Sequence, residues 1–390
     1  MATQVVIDHA GERLPEHDDW SGYVPTGPRR RRDPDWEKRV ADFLEFMDSP
    51  QRRAWPTLWR VKLEETMGQA DFPNLLGDSL VRLMIPIYKG MQRVLDPIFQ
   101  AVTVPDFRTA KVFRAEGTLE RLPVVGEGGP YQEATRSETK YEVTLAKYGR
   151  VFDINMELLL GDDIGFFETV PTELAEAAIH TESWKMSSQF WTSTGANTDY
   201  FAHATEGAGA VSSNTLTIAN LYAARAAMLG QSSGYRNVAG EPIQNAPGYL
   251  VVPPYLEAEA RQILESTEVR WTESAGGSAS QRGTLNVAQR LGISLIVDPW
   301  IPVIVTSGTV AQTCWALFSK VGKAGAIARL RGAETPQVYR KITDQEPVGG
   351  GAAALPFDVG FEDDKAKWKV MHAIGGTTLD PRRGWASNGQ

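Results

Sequence analysis

Residues Glu138 to Trp191 read ETKYEVTLAKYGRVFDINMELLLGDDIGFFETVPTELAEAAIHTESWKMSSQFW, and this stretch decides the fold class. Tyr141, Val143 and Leu145 alternate with Lys140, Glu142 and Thr144, the period of a half-buried strand. Around Gly149 the apolar set changes parity to Tyr148, Phe152 and Ile154, so the pattern predicts a bulge or bend at the glycine. Gly161 then suits the end of a short helix, and Asp162 or Asp163 can cap the next one. Phe167, Val170, Leu174, Ala177, Thr181, Trp184 and Trp191 recur mostly at three- and four-residue steps, which predicts a helix with one apolar face. Pro171 fits its first turn, and Glu173 and Glu176 suit its positive end. Run to Trp191, that helix is roughly 30 Å long at about 1.5 Å per residue. A long strand, a polar turn and a long helix, with no catalytic signature, read as a structural spine in an α+β protein.

Working outward, residues 107–114 return to strand character, and Gly126-Glu127-Gly128-Gly129-Pro130 lies between them and the strand near Glu138. This is the pattern of a long β-hairpin with a glycine-bearing far section. Such a ribbon carries few core residues and gains its stability from a partner. Residues 1–70 are rich in Arg, Asp, Glu and Pro, with Trp20, Trp36, Trp55 and Trp59 among them. They read as an extended arm with a helix near Trp36–Met47 that packs along another surface. Residues 75–100 read as helical with a break around Pro86. Residues 216–325 alternate helix and strand, as a compact α/β unit does. Strands are expected at 248–252, 294–297, 303–305 and 314–318, and a flexible loop at 273–284. Residues 338–342 and 357–376 return to strand.

The 390 residues suggest two or three folding units by length, and 42% hydrophobic content supports a substantial core. Asp and Glu number 48 against 40 Lys and Arg, a net charge of −8, so the whole chain is not a nucleic-acid binder by charge. Arg29, Arg30, Arg31 and Arg32 form a basic run that could neutralise phosphates or pair with acidic neighbours such as Asp33 and Asp35. No signal peptide and no membrane-length apolar run are visible, so a soluble protein made in the cytoplasm is expected.

A search for chemistry returns little. His9, His17, His180, His203 and His372 form no HExxH or H-x-E pattern, and His180 falls on the polar side of the long helix. Cys314 lies in the apolar run TCWALF and reads as packing. Ser319–Gly325 has lysines and glycines at the wrong spacing for a phosphate loop. Asp162 and Asp163 are adjacent, so their side chains diverge, and capping explains them better than metal ligation or an acid pair. Asp363-Asp364 reads as a turn. No catalytic, cofactor-binding or metal-binding residue is assigned.

The run Lys147-Tyr148-Gly149-Arg150-Val151-Phe152-Asp153-Ile154-Asn155-Met156-Glu157, followed by Asp162-Asp163-Ile164-Gly165-Phe166-Phe167, resembles the major capsid proteins of tailed double-stranded-DNA phages, which have the Hong Kong 97-type fold. Upstream, FPNLLGD at 72–78, VPDFR at 104–108, LERLP at 119–123 and EGGPY at 127–131 are similar to that family. Downstream, Pro247–Pro254 and the strand region 357–384 are similar in placement. The resemblance implies an N-terminal arm and helices over 1–105 and an extended loop over 106–150. It further implies a peripheral domain with a spine helix over 151–215, an axial domain over 216–328, and a return to the peripheral domain over 329–390. It implies a virion structural protein, made in a bacterial host's cytoplasm, that forms hexamers and pentamers of an icosahedral shell. Portal, scaffold or decoration proteins would be partners, with weak non-specific contact to packaged double-stranded DNA and none to membrane. Gly126, Glu127, Gly128, Gly129, Pro130 and Tyr131 would be the part of the loop that lies over a neighbouring subunit. Two rivals are an encapsulin, against which the long arm and Glu127-Gly128-Gly129 argue, and an α/β hydrolase or transferase, which needs a convergent polar cluster that the sequence does not show.

Overall fold

The computed structural model describes residues 84–341 and 365–390, apart from 117–120, 123, 130, 132–136, 156–165, 203–209, 238–239, 244 and 276–277. The arm with its tryptophans and Arg29–Arg32, the Asp162-Asp163 turn, Pro130 and Asp363-Asp364 lie outside the described residues. In chain order the strands are β1 (Phe99–Val104), β2 (Ala110–Glu116), β3 (Ser137–Val143), β4 (Ala146–Asn155), β5 (Trp191–Thr192), β6 (Gly195–Ala196), β7 (Pro247–Val252), β8 (Glu268–Ala275), β9 (Ser278–Leu285), β10 (Ser294–Val297), β11 (Trp315–Ser319), β12 (Gly325–Leu330), β13 (Gln337–Arg340), β14 (Lys365–Thr378) and β15 (Gly384–Ser387). The helices are α1 (84–90), α2 (Phe166–Phe190), α3 (Thr198–Phe201), α4 (Ile218–Ala226), α5 (Glu257–Glu265), α6 (Ile301–Ile304) and α7 (Val310–Thr313).

Two sheets organise these elements. The 14-residue strand β14 is the axis of the first: it pairs with β4 along one edge and with β13 and β12 along the other, and β1 joins parallel to β12. Trp368, Val370 and His372 of β14 are buried, and α2 packs against this strand. The second sheet has the order β10-β7-β11-β15, with β10 parallel to β7 and the other pairs antiparallel. Its strand β11 is buried on both faces: Ala316 and Phe318 enter a core with Phe190, Trp191 and Phe201, while Trp315 and Leu317 enter another with Leu221, Leu250 and Trp385. That double burial is why the sequence there is an unbroken apolar run. Within 329–390 the strands part company, since β13 and β14 lie in the first sheet and β15 in the second.

Several sequence-based expectations are corrected. The change of apolar parity follows Leu145, which still shares a core with Val143, as the chain passes from β3, paired with β2, into β4, paired with β14. Strand β4 continues through Gly149, whose smallness serves a close approach: a Cβ there would sit 2.6 Å from the Val370 carbonyl oxygen. Helix α2 begins at Phe166, so Pro171 lies beyond the first turn, where its missing N–H removes one helical hydrogen bond. The buried face of α2 is Val170, Ala175, Ala178, Ile179, Glu182, Ser183, Met186, Ser187 and Phe190; of the expected face Val170 is buried and Leu174 packs against the core, whereas Ala177 and Trp184 are exposed. The expected face was rotated because polar side chains occupy part of the true one. Residues 273–275 and 278–284 belong to the paired strands β8 and β9, whose backbone ladder satisfies a sequence too small and polar to signal a strand. Residues 301–304 form α6, with Pro302 in its first turn, in place of a strand. Helix α1 runs through Pro86 and stops at Gly90.

Gly149→Ala is expected to destabilise the unassembled subunit by about 1–3 kcal/mol, because a backbone carbonyl has to move. Urea unfolding measures it, with Gly90→Ala, whose added Cβ would meet no atom within 4 Å, as the neutral control.

Candidate assembly site

The β2–β3 ribbon pairs Ala110 with Val143 through Glu116 with Ser137. Its base is held by a small core of Val104, Val143, Leu145 and Ala328, onto which Val112 packs. Phe113, beside Val112, is exposed. In the far section the Gly129 N–H donates to the Gly126 carbonyl at 2.9 Å, closing a turn whose third residue, Gly128, has φ +76°. That backbone conformation needs glycine, which accounts for the glycine cluster. Of the expected loop residues, Gly126, Glu127, Gly128 and Tyr131 are exposed and Gly129 is half-buried. The section also presents Leu122, Val124 and Tyr131 at 92%, 99% and 86% exposure. Three such side chains in one segment form an apolar surface with no cover in the described part of the subunit. The sequence reading named Tyr131 but missed Leu122 and Val124, which prolines and glycines around them disguise. The loop is anchored within the chain at Glu241, which accepts from the Arg121 backbone N–H at 3.0 Å and pairs with its guanidinium at 3.0 Å.

What the ribbon projects from is held by a buried carboxylate. Glu182, on α2, is fully buried and accepts from Tyr88 Oη at 2.5 Å, Arg93 Nε at 2.6 Å, and Arg329 Nε and Nη2 at 3.1 and 3.0 Å. His372 Nε2 lies 2.7 Å from the same carboxylate. A carboxylate only accepts, so the imidazole proton sits on Nε2, and among the described residues Nδ1 has no partner. The five donors come from α1, the turn after it, β12 and β14. Burial would raise the Glu182 pKa, but hydrogen bonds from His372 and Arg329 and the charges of Arg329 and Arg93 outweigh it and hold the carboxyl well below the usual range. Burial and the Glu182 charge push the Tyr88 hydroxyl up. No sequence signal marked His372 or Glu182 as partners.

A second buried carboxylate ties α2 to the second sheet. Asp298, after β10, accepts from Ser187 Oγ at 2.6 Å and from the Trp300 N–H at 2.9 Å. Burial pushes its pKa up to about 6, against the two hydrogen bonds that favour the charged form. Cys314 is wholly buried, its thiol pushed up to about 12 chiefly by that burial, which fits packing and not nucleophilic chemistry. His180 is exposed and sits edge-on to Trp300 at 5.8 Å.

The family model described as phage capsid protein matches residues 138–387. The chain belongs to this family. The match begins at the stretch that sets the strand-to-helix pattern and covers well over half of the capsid protein. Among solved structures it is similar to the capsid of a native GTA particle, at 14% identity and TM-score 0.45 over 76% of this chain and 91% of that one. A structure titled Mycobacterium phage Adephagia matches at 13% and 0.44 over 76% and 90%. The holo-SrpI encapsulin complex from Synechococcus elongatus PCC 7942 matches at 13% and 0.44 over 79% and 89%. None of the curated proteins compared matches the capsid protein. The architecture is α+β, as a Hong Kong 97-type capsid protein requires, and the protein's role is structural.

The two carboxylates give opposite pH dependence. Glu182 has a lowered folded pKa, so its stabilisation is present above the unfolded carboxylate range near pH 4 and is lost as pH falls. Glu182→Gln leaves two buried guanidinium groups without a counter-charge, and a loss of roughly 3–5 kcal/mol is expected by denaturant unfolding at pH 7, shrinking at acid pH. Asp298 has a raised folded pKa, so stability falls as pH rises from about 4 to about 6. Asp298→Asn, whose amide oxygen can still accept from the Trp300 N–H while its NH2 donates to Ser187 Oγ with the direction of that bond reversed, is expected to remove that fall of about 3 kcal/mol, as unfolding at pH 4 and pH 7 will show.

Proposed function

We propose that this capsid protein assembles into hexamers and pentamers of an icosahedral phage head enclosing double-stranded DNA, and that its extended loop provides the covering contact between neighbours. The observation that carries the loop's part is the apolar set Leu122, Val124 and Tyr131, exposed on a glycine turn beyond a ribbon with little core of its own. A two-stranded ribbon is marginal alone. Laid over a second copy, it gains burial at each of many equivalent contacts, and a closed shell multiplies weak contacts into a stable whole. The reaction is association, and the subunit's internal ties keep the platform rigid while loop and partner meet. A portal, and scaffold or decoration proteins, complete the assembly, and the shell forms in the bacterial cytoplasm before becoming part of the virion. Arg29–Arg32 add weak phosphate contacts in this reading.

Electron microscopy of the purified protein, expressed alone, tests it. Closed shells or rings of five and six are expected, with nucleic acid as the content; shells filled with an enzyme would instead mark an encapsulin. Deleting Gly126–Tyr131 is expected to leave a soluble folded subunit that no longer closes shells, and normal shells from that deletion would refute the covering role.

A further inference from the structure

The chain carries a second two-stranded ribbon besides β2–β3. Strands β8 and β9 pair only with each other, so among the described residues the outer edge of each is unpaired. Eight residues face eight, from Glu268 opposite Leu285 to Ala275 opposite Ser278, with no shift of register. The root of the ribbon is fixed by Asn286, which is buried. Its side-chain NH2 donates to the Ile263 carbonyl at 2.7 Å and to Ser266 Oγ at 3.0 Å, and its Oδ1 accepts from the Ala288 N–H at 3.0 Å. Its backbone N–H donates to the Thr267 carbonyl at 2.9 Å. The ribbon therefore leaves the end of α5 in a set direction. Leu285 and Val287, on either side of Asn286, are both exposed, so the root adds apolar side chains that face solvent.

A free strand edge is a row of unpaired N–H and C=O groups that invites another strand, and proteins blunt it with lysine, proline, bulges or very short strands. None of these devices is present here: residues 268–285 contain neither Lys nor Pro, and both strands are regular over their whole length. A ribbon of two strands is also marginal alone. Its two edges differ in charge. Strand β8 (EVRWTESA) has two acidic residues and one basic, Glu268, Glu273 and Arg270, whereas β9 (SASQRGTL) has one basic residue, Arg282, and no acidic one. Setting β8 against β9 brings opposite net charge together; β8 against β8, or β9 against β9, brings like charge together. Contact between unlike edges is head-to-tail, and a head-to-tail contact makes a ring when its rotation closes. We propose that the β9 edge of one copy pairs, antiparallel, with the β8 edge of the next, so that the ribbons of a ring of copies join into one closed barrel. Strand direction already alternates within each ribbon, so the antiparallel order runs unbroken around the ring. Five or six two-stranded ribbons give ten or twelve strands, and closure leaves no free edge. The proposal rests on the reading of rings and shells and deepens it, since it names a second contact between copies and gives that contact a polarity.

Disulfide trapping in the full-length protein tests it. The chain's one cysteine, Cys314, is buried, so an introduced thiol reports alone. Thr272→Cys and, separately, Glu273→Cys in β8 are each co-expressed with one of Ala279→Cys, Ser280→Cys, Gln281→Cys, Arg282→Cys or Gly283→Cys in β9. Every chain then holds a single introduced cysteine, and the set of positions covers shifts of register and the loss of any one variant. The preparations are viewed by electron microscopy, oxidised, and run on denaturing gels. Paired strands lie about 4.8 Å apart, within a disulfide's reach, whereas the same strand of the next copy lies about twice as far away, beyond it. Covalent dimers are expected from at least one mixture and from no variant expressed alone. Shells that yield no dimers in any mixture overturn the proposal. Dimers from a variant expressed alone overturn it too, and make the contact two-fold. Where the parent forms neither shells nor rings, dimers from a mixture count against the shell reading and support the edge pairing, and their absence overturns the edge pairing as well.

Discussion

The subunit's architecture depends on the compensation of one buried charge. An isolated carboxylate in a protein interior is strongly unfavourable, and Glu182 is tolerable only because Tyr88, Arg93, Arg329 and His372 converge on it. These donors lie on elements far apart in sequence, so α1, the spine helix and two strands of the first sheet must arrive together or leave a charge unpaired. Apolar packing tolerates small slides, but a carboxylate with a set of fixed donors does not. The hub therefore contributes register more than raw stability, and it fixes how the spine helix lies along β14.

Asp298 plays a looser version of the same part between the spine helix and the second sheet, through Ser187. It has two hydrogen bonds and, among the described residues, no cation paired with it, so its charge is only partly compensated. The first sheet is thus tied to the spine helix by a strongly held ion cluster, and the second by a polar contact together with aromatic packing around Phe190, Trp191, Phe201 and Phe318. The two sheets are thus joined to the same helix by different means, one by fixed charges and the other by packing and a single polar contact.

Much of this was legible in the sequence where side chains obey their period. The long helix, the β2–β3 ribbon and the doubly buried run ending in Phe318 follow from spacing and apolar content. The face of α2 was not legible. Glu182, Ser183 and Ser187 occupy core positions, and Trp184 lies exposed, so hydrophobicity alone points to the wrong side. A weaker signal was present: Ala178, Ile179, Met186 and Phe190 stand at helical steps around Glu182 and form an alternative stripe interrupted by a charge. Such an interruption has physical meaning only if cations come from elsewhere, and nothing in the local sequence says that Arg93 and Arg329 will. The glycine turn of the loop was readable from composition, but its exposed leucine and valine resemble core residues until the fold shows them facing outward.

The first sheet has its axis in β14, and β15 closes an edge of the second. In a chain made from the N terminus, both arrive after every other described strand. Until then β4 and β13 have no common neighbour, Arg329 has no imidazole beside its carboxylate partner, and β11 has an open edge. A chain that stops short of Lys365 therefore lacks the axis of one sheet and an edge of the other, and with them the surface that carries the ribbon.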